Sequence, residues 1–100
     1  MNRVSIEYRE PADPETFAVR YRSEHVPIAS RLPGLQRYTL SVPRGKAPSL
    51  PVLVAELWFA DAESMKQALG SPEMAEAAEH ADTLGASLTV FTAQIEDVLG

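Results

Sequence analysis

The chain has 100 residues, of which 45% are apolar and 23% are charged, a composition ordinary for one globular domain spanning residues 1–100. The net charge of −5 without a basic cluster argues against a nucleic-acid partner, and the lack of cysteine excludes disulfides, thiolate metal sites and cysteine nucleophiles. No segment resembles a signal peptide or a membrane span, so we expect a cytoplasmic protein with no membrane partner.

The first predicted element is a strand at residues 3–9, because apolar and polar side chains alternate there with a period of two. Three apolar residues share one face of this strand: Val4, Ile6 and Tyr8. Residues 35–42 predict a second strand, in which Tyr38, Leu40 and Val42 lie on one side. Both segments therefore present an apolar face to a common core.

Between these strands lies a predicted helix that begins after Asp13, with Pro14 suited to its first position. Its apolar stripe recurs at helical spacing and consists of Phe17, Tyr21, His25, Ile28 and Leu32. His25 lies about 40° from the centre of that stripe, so its imidazole is expected to point inward. Because Pro27 cannot donate to the carbonyl of Ser23, a kink or break is expected near His25.

The rest of the chain predicts a loop, a strand, two helices and a final strand, in that order: residues 43–51, 52–59, 61–69, 72–84 and 87–96. The resulting order β-α-β-β-α-β is the split βαβ arrangement of ferredoxin-like domains. We therefore predict an α+β fold with a four-stranded antiparallel sheet and helices on one face of it.

The strand at 52–59 is apolar on both faces, and only Glu56 interrupts it. One face holds Val54 and Trp58, and the other holds residues such as Leu57. A strand of this kind is usually covered on both sides. The helices of the same chain can cover one side, so we expect a homodimer that forms through the other face of the sheet.

Four stretches carry a resemblance to a known family: Tyr21-x-x-x-His25-x-Pro27, Leu32-Pro33-Gly34-Leu35 with Tyr38, Ala55-Glu56-Leu57-Trp58-Phe59, and Ala68-Leu69-Gly70-Ser71-Pro72-Glu73. Together they resemble the EthD family over essentially the whole chain. The resemblance implies a ferredoxin-like subunit whose sheets pair back to back into a dimeric α+β barrel. Some members are labelled reductases, and similar barrels act as polyketide cyclases, dehydratases, isomerases and monooxygenases, so the resemblance leaves the reaction open.

His25 is the main candidate for catalysis, because an imidazole with an ordinary pKa of about 6.5 can take or give a proton at neutral pH. The alternative is a structural histidine that donates to a carbonyl freed by Pro27 and fixes the kink. Asp82 is a second catalytic candidate that could reach across to His25 and orient its ring, or it could be solvated at a helix end. His80 is expected to be a surface residue.

Four aromatic side chains are candidate walls of a substrate pocket, or else plain core: Tyr8, Tyr21, Tyr38 and Trp58. Arg37 and Glu56 are expected to pair across the sheet. Two histidines without cysteine give no metal-ligand spacing, so no metal site is predicted. The sequence has no nucleotide-binding, flavin or haem motif, and it leaves the cofactor unknown.

Two functions fit these residues. The first is an enzyme that binds a small hydrophobic molecule, aromatic or carbonyl-bearing, in the cleft between helices and sheet, with His25 as general acid or base. An oxidoreductase of this kind would need a cofactor site that the sequence does not reveal. The second is a non-catalytic ligand carrier or an accessory subunit of an oxygenase or degradation pathway.

Overall fold

The computed structural model describes all 100 residues and has the predicted element order. The strands are β1 (Asn2–Arg9), β2 (Leu35–Ser41), β3 (Leu53–Phe59) and β4 (Ser87–Gln94). The helices are α1 (Pro14–Arg20), α2 (Val26–Ala29), α3 (Ala62–Leu69) and α4 (Pro72–Ala81). All four strands pair antiparallel in the order β2-β3-β1-β4. The predicted α+β, ferredoxin-like fold is confirmed.

The first helical segment contains the break that Pro27 predicts. Between α1 and α2 the chain widens into a π-helical turn at Tyr21–His25, in which the N–H of Val26 donates to the carbonyl of Tyr21. Pro27 has no N–H to donate and its ring crowds the carbonyl of Ser23, so a regular α-helical turn is disfavoured here. A π-turn inside a helix is frequent at functional sites, which directs attention to the side chains that it presents.

The core lies between the helices and one face of the sheet, because the strand register brings apolar residues of neighbouring strands together there. Val4 lies opposite Leu57, and Tyr8 lies opposite Leu53. One buried cluster contains Tyr8, Phe17, Tyr21, Leu53, Ala55 and Leu84. The other contains Val4, Leu32, Leu57, Phe59 and Ala68. Both clusters rest on side chains of β1 and β3, the two central strands.

The opposite face of the sheet carries a different arrangement, centred on Trp58. The guanidinium groups of Arg3 and Arg37 lie 5.5 Å and 5.4 Å from the centre of its ring. Arg3 also pairs with Glu56 at 3.1 Å. The predicted pair between Arg37 and Glu56 is therefore wrong: Arg37 stands on an edge strand, where its charge stays exposed to water, whereas Arg3 lies on a central strand.

No helix of this chain combines the length and the apolar character that crossing a membrane requires. The cytoplasmic location expected from the sequence stays a prediction.

Candidate functional site

A cavity of about 190 Å³ lies between the helices and the covered face of the sheet. Of its 17 lining residues, 15 are aliphatic or aromatic, and the other two are His25 and Asp82. Side chains from three strands form its floor: Val4, Ile6, Tyr8, Leu57, Leu88 and Val90. Small residues of α4, including Ala77 and Ala81, leave the space open above the floor. The cavity is therefore apolar, with few polar groups at its wall.

His25 stands in this wall and is only 3% exposed, so the prediction that its imidazole points inward is confirmed. Its ring packs between Tyr21, at 5.0 Å between centroids, and His80, at 5.2 Å. Burial, and then repulsion from the charge of His80, lowers the pKa of His25 from 6.5 to about 4. At neutral pH the ring is therefore uncharged, so one ring nitrogen is unprotonated, and the same shift makes that nitrogen a weaker base than a free imidazole.

His80 is not the surface residue that the sequence predicts, because it contacts His25 directly. Its Nδ1 lies 2.9 Å from Nδ1 of His25, and its Nε2 lies 3.1 Å from Oε1 of Glu24. Hydrogen bonds from Arg20 and then His80 lower the pKa of the Glu24 carboxyl. Sequence reasoning missed both His80 and Glu24, because the contact depends on how α4 packs against the π-helical turn.

For uncharged imidazoles, the hydrogen bonds assign one tautomer to each ring. A carboxylate only accepts, so Nε2 of His80 carries the hydrogen that Glu24 receives. With both rings uncharged, Nδ1 of His80 accepts, and the hydrogen in the contact between the two rings belongs to Nδ1 of His25. Nε2 of His25 is left with a free lone pair and forms no hydrogen bond within the protein. His25 lines the cavity, so this nitrogen is available to a ligand there.

Asp82 lines the same cavity but forms no hydrogen bond with His25, so it does not orient the ring as predicted. It occupies the C-cap of α4, where its backbone N–H donates to the carbonyl of Ala78. Residues two apart on a helix differ by about 200° in direction. His80 and Asp82 therefore cannot both face His25, and His80 takes that position.

Three of the four predicted aromatic walls meet in the cavity, and the fourth does not. The hydroxyls of Tyr21 and Tyr38 lie 2.6 Å apart, and the ring of Tyr8 packs against Tyr21 at 5.3 Å with an interplanar angle of 71°. Burial raises the pKa of all three phenols, which keeps them neutral hydrogen-bonding groups. Trp58 lies on the opposite face of the sheet, so the prediction that it walls this pocket is wrong.

The polar groups do not form a metal site. Glu24, His80 and His25 lie in a row rather than around a point. No group of three or more His, Asp or Glu side chains has an arrangement that could hold a metal ion. The site combines the unprotonated Nε2 of His25, the hydroxyls of Tyr21 and Tyr38, and the apolar cavity.

Comparison with known proteins gives one sequence relative and several solved structures that match nearly the whole chain. A Rhodococcus erythropolis protein, named the uncharacterized 11.0 kDa protein in the thcB-thcC intergenic region, is 34% identical over 106 aligned positions that cover 99% of both chains. A crystal structure of an ethyl tert-butyl ether d (EthD) family protein from Bacillus halodurans superposes with a TM-score of 0.84 at 24% identity, covering 96% of this chain and 99% of that one.

Other solved structures, at lower identity, share the same fold. SnoaB, a cofactor-independent oxygenase from Streptomyces nogalater, superposes with a TM-score of 0.73 at 18% identity, covering 98% of this chain and 95% of that chain. A Bacteroides fragilis protein described as dimeric, of unknown function and with a ferredoxin-like fold, has a TM-score of 0.65 at 10% identity and 94% coverage of both chains. The family model described as EthD domain matches residues 9–84, and the chain therefore belongs to the EthD family.

Proposed function

We propose that the cavity binds a small, mostly apolar molecule with a carbonyl or phenol group, and that His25 acts on it as general base and acid. The observation that carries this proposal is the free Nε2 of a buried, neutral imidazole at the wall of an apolar cavity. The cavity of about 190 Å³ suits one ring with short substituents, since an engineered apolar cavity of about 150 Å³ holds benzene.

The residues around the cavity fit the removal of a proton next to a carbonyl. Nε2 of His25 would accept the proton, while the hydroxyl pair of Tyr21 and Tyr38 would donate a hydrogen bond to the carbonyl oxygen as negative charge develops on it. Returning the proton at another atom would isomerise the ligand. An oxygenase-related role, as named for one fold relative, would begin with the same proton removal. The resulting anion would then be oxidised by molecular oxygen, the co-substrate, which accepts its electrons.

A deuterium-exchange experiment tests this proposal with acetophenone and its ring-hydroxylated derivatives as probes. NMR in D₂O follows the protons next to the carbonyl, and we expect exchange above the rate in buffer. His25→Gln should lower that exchange about 100-fold while the probes still bind. Ser41→Ala, on the exposed edge strand, serves as the matched control and should behave as the wild type. If His25→Gln exchanged deuterium as fast as the wild type, His25 would not be the base.

The same experiment separates the enzyme from the alternative function. A non-catalytic carrier, or an accessory subunit of an oxygenase system, would bind the probes in the cavity without exchange above buffer. In that case the affinity of His25→Gln would be close to that of the wild type. The same apolar cavity serves either function, and only the proton transfer distinguishes them.

We also propose that two copies of the chain pair through the uncovered face of the sheet. That face presents Trp58 and Phe91, which is 42% exposed, beside the Arg3–Glu56 ion pair. An aromatic surface of this kind on a central sheet is usually covered. Sedimentation velocity at micromolar concentration should show a dimer, and a stable monomer at that concentration would count against this assembly.

A further inference from the structure

Glu24, His80 and His25 form one row of hydrogen-bonding groups that runs from solvent to the cavity. Glu24 Oε1 lies 3.1 Å from His80 Nε2, and His80 Nδ1 lies 2.9 Å from His25 Nδ1. Exposure falls along the row, from 46% for the Glu24 side chain and 15% for that of His80 to 3% for His25. One end of the row therefore contacts water, and the other end contacts the ligand space.

The row is held from both sides. Glu24 and His25 are adjacent in the π-helical turn, and they contact the two different ring nitrogens of His80 on α4. Arg20 donates to Glu24 through Nε and Nη2 at 3.1 Å to 3.3 Å. Its Nη1 also donates to the carbonyl of Thr83, just beyond α4, at 2.8 Å. The His80 ring therefore cannot rotate without losing a hydrogen bond at each nitrogen.

We propose that His80 and Glu24 serve His25 as a proton relay, which moves the positive charge of catalysis from the cavity wall to His80. This inference rests on the proposed role of His25 as the base. The ligand's bond to hydrogen breaks, its electron pair stays on the ligand, and an N–H bond forms at Nε2 of His25. The Nδ1–H bond of His25 then breaks as an Nδ1–H bond forms on His80. The products are neutral His25 in its other tautomer, a His80 imidazolium and an unchanged Glu24 carboxylate.

The surroundings of the two rings explain why the charge is more stable on His80. An imidazolium at His25 would stand among apolar side chains without a carboxylate in contact, whereas His80 has one at 3.1 Å. The titratable and charged groups around the pair are Glu24, Arg20, Tyr21, Asp82, Tyr8 and Tyr38. Arg20 opposes a charge on His80, but its hydrogen bonds also keep Glu24 ionised at the end of the row.

The relay makes a spectroscopic prediction that needs neither ligand nor turnover. In ligand-free protein with ¹⁵N-labelled histidine, His25 should carry its hydrogen on Nδ1 at neutral pH. As the pair takes up its first proton on acidification, His25 should change to the Nε2–H tautomer while its own ring is still neutral. This inversion should occur above the pH of about 4 at which His25 becomes charged. A His25 ring that keeps Nδ1–H until it becomes charged would overturn the relay.

Three variants measure the effect of the relay on proton transfer. His80→Gln and Glu24→Gln should lower the deuterium exchange of acetophenone about 10-fold, with the dissociation constant of the probe unchanged. Glu79→Gln, an exposed neighbour of His80 outside the hydrogen-bonded row, is the control and should keep the wild-type rate and the tautomer inversion. Full exchange in the two row variants would contradict the relay.

The two readouts also separate this inference from the function on which it rests. Tautomer inversion without any exchange in the wild type would contradict a base at His25, and the catalytic use of the relay with it, while showing that the two rings do pass a proton between them. Deuterium exchange without tautomer inversion would support His25 as the base and contradict the relay. If His80→Gln does not fold, the titration of the wild type alone still decides the question.

Discussion

The two faces of the sheet are built from the same strands but have opposite chemistry. Toward the helices, alternate residues enclose an apolar cavity with buried phenols and the neutral His25 ring. Away from the helices, the intervening residues place Arg3, Glu56 and Arg37 around Trp58 and leave Phe91 exposed. The first face encloses a space of small-molecule size, and the second carries the mixture of aromatic and charged groups that is common in protein interfaces.

The largest loss of stability should come from truncating a buried side chain on the covered face. Leu57→Ala removes a side chain that is 2% exposed and should reduce the free energy of unfolding by about 2–5 kcal/mol. Val54→Ala, on the opposite face of the same strand, should reduce it by about 1 kcal/mol or less. Urea denaturation at one fixed protein concentration checks both values. Equal losses would mean that the two faces are packed alike.

Acid should destabilise the covered face through His25. Its pKa is lowered to about 4, so between that value and 6.5 the folded protein binds fewer protons than the unfolded chain. Stability is therefore present above pH 6.5 and is lost as the pH falls toward 4. We expect a loss of about 2 kcal/mol between pH 7 and pH 5.

Urea denaturation of His25→Gln across the same range provides the comparison. This variant should lose little stability over that interval, whereas Glu79→Gln should behave as the wild type. Identical pH profiles for His25→Gln and the wild type would show that the buried ring is not the titrating group.

A substitution on the uncovered face should weaken the proposed dimer more than it destabilises the folded subunit. Phe91→Glu places a charge in the proposed interface and should raise the dimer dissociation constant about 10- to 30-fold, or about 1–2 kcal/mol. Val19→Glu, at a 66% exposed position on α1, is the control and should leave it unchanged. Sedimentation equilibrium gives both constants. An unaffected dimer in Phe91→Glu would place the interface elsewhere.

The smallest expected difference in stability is between substitutions at two neighbouring residues of β2. Tyr38→Phe leaves the buried hydroxyl of Tyr21 without its partner at 2.6 Å, and should cost about 1 kcal/mol of stability. Thr39→Val removes a longer contact, at 3.4 Å from Nε1 of Trp58 on the other face, and should cost less than half as much. Thermal unfolding of both variants measures the difference, and a reversed order would contradict the assignment of the two faces.

Periodicity was enough to predict the fold and the inward direction of His25. The alternation of apolar residues gave the strands, and the helical stripe with Pro27 gave both the ring orientation and the break at the π-helical turn. The contact with His80 could not be predicted, because it joins two elements whose packing angle no local pattern specifies. The π-helical turn also rotates the side-chain directions of this segment, which changes the residues that face α4.

Trp58 shows a second limit of local patterns. Alternation correctly separates it from Leu57 on β3, but both faces of that strand are apolar. With no difference in polarity, the sequence does not show which face the helices cover. The predicted contact between Asp82 and His25 failed for a related reason. Asp82 lies near the end of α4 and lines the same cavity as His25, but it points in a different direction from His80, which makes the contact.

A crystal structure of the protein with bound acetophenone tests the central claim most directly. We predict that its ring occupies the cavity, with the carbonyl oxygen within hydrogen-bonding distance of the Tyr21 and Tyr38 hydroxyls and the methyl carbon next to Nε2 of His25. An empty cavity, or a ligand bound only to the Trp58 face, would contradict the assignment of the covered face as the active site.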